Sequence, residues 1–99
     1  MSYRVTLHPD AEAELEEAYA YIAEDSPTNA GRWKAGLLEK VASLKEIPER
    51  CPIAPEAEFL GEPVRHLIHG NYRLLFVIED SEVVLLHVRH AAHRYLGED

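Results

Sequence analysis

Apolar and polar side chains alternate along Tyr3-Arg4-Val5-Thr6-Leu7, the two-residue period of a short strand with one buried face. The period then changes. His8-Pro9-Asp10 opens a helix, because proline loses nothing at a first helical position and Asp10 and Glu12 suit the positive end of the dipole. Ala11, Leu15, Ala18, Tyr19 and Ile22 recur at helical spacing, with glutamates on the flanks. Ser26-Pro27 repeats the start signal with Ser26 as N-cap, and Ala30, Trp33, Leu37, Val41 and Leu44 step by three and four through a second helix. That helix must end before Pro48, since a proline ring disfavours helical backbone in the residue ahead of it.

Residues 48–63 hold Pro48, Pro52, Pro55, Gly61 and Pro63 and read as a loop with one extended piece at Glu58-Phe59-Leu60. A connection of this length either carries function or packs as a lid on the core. Three strands follow: Val64 to Ile68, Tyr72 to Ile78 after Gly70-Asn71, and Val83 to His90 after the Glu79–Glu82 turn. The last two are apolar on both parities, as strands covered on both sides are. The order β-α-α-β-β-β predicts an α+β, two-layer fold in which an N-terminal helical hairpin packs on an antiparallel sheet.

Ninety-nine residues fit one domain spanning residues 1–99 and one core. No apolar run approaches a membrane span, no secretory leader opens the chain, and the lone Cys51 fits the reducing cytoplasm. The formal charge of −8 argues against a general nucleic-acid binder. It is unevenly spread. Residues 1–63 carry six basic and thirteen acidic side chains, whereas residues 64–99 carry four arginines, five acids and five of the six histidines.

Two constellations follow from that distribution. Arg65, Arg73 and Arg89 fall one on each of three consecutive strands, and simple hairpin register brings them to one sheet face. There their guanidinium forks suit phosphate or carboxylate groups; the competing reading is three separate ion pairs with helix glutamates. His87, His90 and His93, interleaved with Arg89, Arg94 and Tyr95, supply acid–base groups. In a metal-independent ribonuclease such groups deprotonate a 2′-hydroxyl and protonate the 5′-leaving oxygen while arginine stabilises the phosphorane. His87 and His90 face opposite sides of a regular strand, so they do not act as a pair, and the same geometry argues against a zinc site. No metal or other cofactor is expected.

As an ordered set, these pieces resemble the RelE/ParE superfamily of type II toxin–antitoxin toxins, often described as plasmid stabilisation proteins. The set comprises His8-Pro9-x-Ala11, Ser26-Pro27-x-x-Ala30, Leu44-x-x-Ile47-Pro48, Arg50-Cys51-Pro52-x-Ala54-Pro55-Glu56, Val64-Arg65-x-Leu67, Gly70-Asn71-Tyr72-Arg73-Leu74-Leu75-Phe76 and Val84-Leu85-x-His87-Val88-Arg89-His90-Ala91-Ala92. The resemblance implies a small toxin neutralised by a cognate antitoxin whose flexible segment wraps across the helices and sheet. ParE-like members inhibit DNA gyrase; RelE-like members cleave mRNA on the ribosome. Arg65 falls where RelE-like enzymes carry a phosphate-binding arginine, and Arg89-His90 near their catalytic cluster. The acidic charge and the late position of Tyr95 after Ala91-Ala92 favour the ParE-like, non-enzymatic side. On that side Arg65, Arg73, His87, Arg89, His90, His93 and Arg94 are the expected binding residues. On the RelE-like alternative Arg65, Arg73, Arg89, His90 and Tyr95 are catalytic. A third alternative is a non-toxic relic that binds antitoxin only.

Overall fold

The computed structural model describes residues 2–91. Strand β1 (Arg4–Leu7) leads into α1 (Pro9–Asp25), and α2 (Pro27–Ser43) follows after the single residue Ser26. Both helices start at the expected prolines and Ser26 caps α2 as expected, whereas the cap of α1 by the His8 side chain is a finding of the structure. The His8 imidazole Nδ1 accepts from Asp10 N–H at 3.0 Å, and Ser26 Oγ accepts from Asn29 N–H at 3.2 Å, each satisfying a donor left over by the helical ladder. Past the end of α2, Ile47 takes a left-handed conformation with φ of 45°, an uncommon choice for a β-branched residue. Arg50 holds this corner by donating to the carbonyls of Glu46 at 2.7 Å and Ile47 at 3.1 Å and to Ser43 Oγ at 3.0 Å.

The remaining strands are β2 (Arg65–His69), β3 (Tyr72–Glu79) and β4 (Glu82–His90), in the sheet order β1-β4-β3-β2. Both hairpins turn on a residue with positive φ, Gly70 and Asp80, types that tolerate the left-handed region. The antiparallel expectation holds for β2, β3 and β4 and is corrected for β1, which pairs parallel to β4 with Val5 opposite Val83. The reason is that the helical hairpin and the lid carry the chain across to the far edge, where β2 runs in the same direction as β1, and two hairpin reversals then lay β4 beside β1 in that direction. Register also slips once. Leu75 faces His87 but Phe76 faces Leu85, so Leu86 is an extra residue in β4, a bulge.

One core lies between the helices and the sheet, where Ala11, Leu15, Leu37, Val41, Leu44, Leu74, Phe76, Val83, Leu85 and Val88 are buried. A second, smaller core lies on the opposite sheet face, built on Ala54, Val64, Leu75 and Val77. This explains the two-sided apolar strands. Its cover is the proline-rich segment, which packs as a lid. The segment expected to be extended at Glu58-Phe59-Leu60 is instead a short helix, α3 (Glu56–Leu60), because Ala57 and Leu60 must turn inward together onto the second core. Ahead of it, Ala54 N–H donates to Val64 O at 2.8 Å and His66 N–H to Pro52 O at 3.1 Å, tying the lid to the outer edge of β2.

Candidate functional site

The three strand arginines do not meet. Residues opposite each other in neighbouring strands share a face, so Arg65, opposite Phe76, lies on the helix side, whereas Arg73 and Arg89 are partners on the lid side. Arg65 Nη1 donates to the carbonyls of Cys51 at 2.6 Å and Glu49 at 3.2 Å, bracing the corner below α2. The expectation of a single arginine face is thus corrected by register and by the bulge. Val83 and Leu85 point to the helices, and an unbroken alternation would send Arg89 there too. The extra residue at Leu86 turns Arg89 to the side of Arg73 and His90 to the helix side.

Arg73 is committed to the lid. Its Nη1 and Nη2 reach Glu56 Oε2 at 2.6 Å and Oε1 at 2.8 Å, a bidentate pair whose side chains are 8% and 1% exposed. His66 Nδ1 accepts from Arg73 Nε at 3.3 Å, which leaves that ring nitrogen unprotonated. Hydrogen bonding from Arg73 holds the Glu56 carboxyl below its usual pKa, and burial together with the Arg73 charge lowers that of His66. Arg73, Glu56 and His66 form a clamp between lid and sheet.

The C-terminal half of β4 runs beyond the end of β1, so among the described residues its outer edge has no neighbouring strand. Glu14 of α1 takes that place. Its Oε1 accepts Val88 N–H at 2.9 Å and lies 3.2 Å from His87 Nδ1. His87 therefore faces a carboxylate, and His90, on the other side, packs edge-on against Tyr72 with ring centroids 5.0 Å apart. The sequence-based separation of these two histidines stands. We expect Glu14→Ala to raise hydrogen exchange at the Val88 amide about tenfold, the equivalent of one ordinary hydrogen bond, without changing exchange at Leu74. Glu14→Gln retains an acceptor oxygen and keeps Val88 slow. Equal protection in Glu14→Ala and wild type would contradict the role assigned to Glu14.

Beside this latch a groove of about 890 Å³ opens between α1 and the ends of β3 and β4, with Glu17, Tyr21 and Glu24 on the helix wall and Tyr72, Val88, Arg89 and His90 on the sheet wall. Burial raises the pKa of Tyr72, with Tyr21 nearby, so its hydroxyl stays protonated at neutral pH. The helix that forms this wall carries most of the net charge of the chain, although only Glu14, Glu17 and Glu24 of its acids line the groove. Pro9–Asp25 contains seven acidic residues and no lysine or arginine, while the other acids and bases of residues 1–63 balance at six each.

Cys51 is buried, and burial raises its thiol pKa, so it is a packing residue. Among the described residues no three His, Cys, Asp or Glu side chains gather to hold a metal ion. No helix among them is long and apolar enough to cross a membrane. His93, Arg94 and Tyr95 lie outside the described residues. Sequence reasoning missed the partners Glu14, Glu56 and His66. Glu14 is hidden in a glutamate-rich helix; Glu56 stands alone between Ala54-Pro55 and Ala57, the one hint of an acid placed in an apolar lid.

A family model described as the ParE toxin of the type II toxin–antitoxin system, parDE, matches residues 5–95. Among solved structures, the chromosomal ParDE system from P. aeruginosa superposes with a TM-score of 0.71 at 20% identity, covering 90% of this chain and 96% of that one. The RelBE2 toxin–antitoxin complex from Mycobacterium tuberculosis gives 0.66 at 26% identity, covering 94% and 95%. The archaeal RelE–RelB complex from Pyrococcus horikoshii gives 0.59 at 18%, covering 95% and 100%. No curated protein sequence matches the chain.

Proposed function

The chain belongs to the ParE toxin family of type II toxin–antitoxin systems, and from that premise we propose that it arrests growth by binding a large cellular target of the DNA gyrase kind and is neutralised by a cognate antitoxin. The observation that carries this reading over RNA cleavage is the placement of the arginines. Cleavage without a metal needs a cation at the phosphorane and an acid and a base within hydrogen-bond reach of it. Here both Nη atoms of Arg73 are held by buried Glu56, and Arg65 lies on the opposite sheet face against loop carbonyls. The acidic α1 adds repulsion from a ribosomal RNA surface. The solved ParDE and RelBE2 systems, both named as toxin–antitoxin assemblies, support a protein antitoxin for this chain.

Induction without antitoxin is expected to stop colony formation. Purified protein is expected to block supercoiling of relaxed plasmid by gyrase and to leave mRNA intact in a ribosome-containing translation reaction. Cut mRNA that becomes intact with Arg65→Ala and Arg89→Ala would overturn the proposal in favour of a RelE-like endoribonuclease. Unimpaired growth at good expression, with a copurifying product of the adjacent small reading frame, would reduce the chain to an antitoxin-binding relic.

A further inference from the structure

Strand edges are normally protected, and most of the outer edge of this sheet is. On β2 the lid engages Val64 O and His66 N–H, and Lys40 Nζ donates to Ile68 O at 2.8 Å. On the far half of β4 Glu14 accepts the Val88 amide. The exception is β1, the end strand of the order β1-β4-β3-β2. Arg4 N–H donates to Ser81 O and His8 N–H to Leu85 O, so Arg4, Thr6 and His8 turn their main-chain groups toward β4. The direction alternates along a strand, which turns those of Tyr3, Val5 and Leu7 outward. Lys45 O accepts the Tyr3 N–H at 2.9 Å; among the described residues the outward groups of Val5 and Leu7 have no partner.

Apolar surface lies behind this open edge. A cavity of about 300 Å³ separates β1 from α2, lined by Tyr3, Val5 and Leu7 on the strand and by Leu38 and Lys45 on the helix side. Leu38 is 44% exposed. Charge is graded along the edge. At its N-terminal end Glu82 pairs with Arg4 at 3.6 Å, the Arg65 charge acts on Glu49, and Arg50 stands beside Glu46, so Lys45 on the cavity wall is the cation left over. At its C-terminal end Asp10 and Glu12 occupy the first turn of α1, with only the His8 imidazole near Asp10, at 3.8 Å.

We propose that the β1 edge is where two copies of the free chain associate, pairing their β1 strands antiparallel about a two-fold axis at Thr6. The free main-chain groups select this register. Val5 and the partner's Leu7 exchange N–H···O bonds, the axis repeats the exchange, and every outward group of Val5 and Leu7 is then satisfied. A register centred on Val5 instead sets the partner's Leu7 against Tyr3, a place that Lys45 already holds. With the axis at Thr6, Tyr3 faces the partner's Pro9, which has no N–H to satisfy. Thr6 meets the partner's Thr6 on the lid side, and each adjoining Glu82 already has its Arg4. On the helix side the apolar stripe of Val5 and Leu7 runs on into the partner's and covers Leu38. Because the charge is graded along the edge, the antiparallel arrangement brings Lys45 to the partner's Asp10 at both ends. The contact is small, so the association is weak and depends on concentration. The inference concerns the free chain and is independent of its target and its antitoxin.

The test is sedimentation velocity of the full chain over a wide range of concentration, with amide hydrogen exchange on the same samples. A monomer–dimer equilibrium is expected, and exchange at the Val5 and Leu7 amides is expected to slow as the dimer fills. Lys45→Glu and Asp10→Lys are each expected to weaken association about tenfold, since the axis turns two attractive pairs repulsive at once, and to do so less at high salt. Combining the two restores the pairing with reversed signs and is expected to recover wild-type association. Leu38→Ser is expected to weaken it, whereas Ile53→Ser, at a lid residue 49% exposed, leaves it unchanged. All four positions are exposed, so the variants keep the fold. A chain that stays monomeric at every concentration would overturn the proposal. So would a dimer that slows exchange only at other surfaces, a charge reversal without recovery, or equal loss in Ile53→Ser. Val5 and Leu7 amides that slow only when the antitoxin is added assign the edge to that partner and overturn it as well.

Discussion

Arg73→Ala is expected to destabilise the fold by about 3–5 kcal/mol, because it strands the Glu56 carboxylate, 1% exposed, under the lid. For a chain of this size that is a large share of a total of roughly 5–15 kcal/mol, and it corresponds to a Tm lower by roughly 15–30 °C. Replacing both partners, Arg73→Met with Glu56→Leu, is expected to recover most of the loss, since no charge is then left without its partner. Denaturant titrations of the two single variants and the double variant decide the matter. A single Arg73→Ala loss near zero, or a double variant as unstable as the singles, would contradict the clamp.

The same clamp sets the acid sensitivity of the fold. His66 has a folded pKa below its ordinary value of 6.5, so the unfolded chain binds the proton more readily and stability falls as pH drops below that value. Glu56 has a folded pKa below 4.5; its contribution is complete above that pH and is lost as pH falls through the depressed value. Two successive losses are therefore expected on acidification. His66→Gln should remove the first and leave the second.

The second large effect concerns the contact between α2 and β2. Glycine inside a helix ordinarily costs about 1 kcal/mol relative to alanine, so Gly36→Ala looks stabilising on propensity alone. A Cβ at Gly36, however, lies 2.8 Å from His69 Cε1 and 3.3 Å from Nε2. The ring has little room to retreat, because Nε2 is 2.9 Å from Trp33 O and the imidazole packs by the Trp33 indole with centroids 6.2 Å apart. Gly36→Val is accordingly expected to destabilise by about 1–3 kcal/mol and Gly36→Ala by less. In a His69→Ala background the sign of Gly36→Ala should reverse to a gain of about 0.5–1 kcal/mol, with only propensity remaining. A Gly36→Ala gain of that size in the presence of His69 would show that the close approach carries no weight.

Legibility tracks locality. The helix starts at Pro9 and Pro27, the end of α2 before Pro48 and the turns at Gly70 and Asp80 were readable, because each depends on a few adjacent residues and their backbone preferences. The lid was readable as a long proline-rich connection over two-sided strands, but its short helix was not. What makes Glu56–Leu60 helical is the second core that Ala57 and Leu60 must reach, which no local window contains. The candidate site was half legible. The separation of His87 from His90 follows from alternation alone. The partners of Arg73 and His87 do not, since Glu56 and Glu14 lie 17 and 73 residues away along the chain.

By itself, then, the sequence determined the element order, the α+β class, the family resemblance and the charge imbalance, all of which are properties of local periodicity, composition or an ordered set of short motifs. Only the tertiary structure decided which charges meet. The parallel return of β1, the extra residue at Leu86 and the seat of α3 are choices of strand partner and register. A one-residue slip sends every following side chain to the other face. That slip moved Arg89 beside Arg73 and away from Arg65, and the lid then brought Glu56 to Arg73. The charge of −8 and the run of acids in the first helix were visible at once, but that Glu14, Glu17 and Glu24 line one wall of an open groove belongs to the fold.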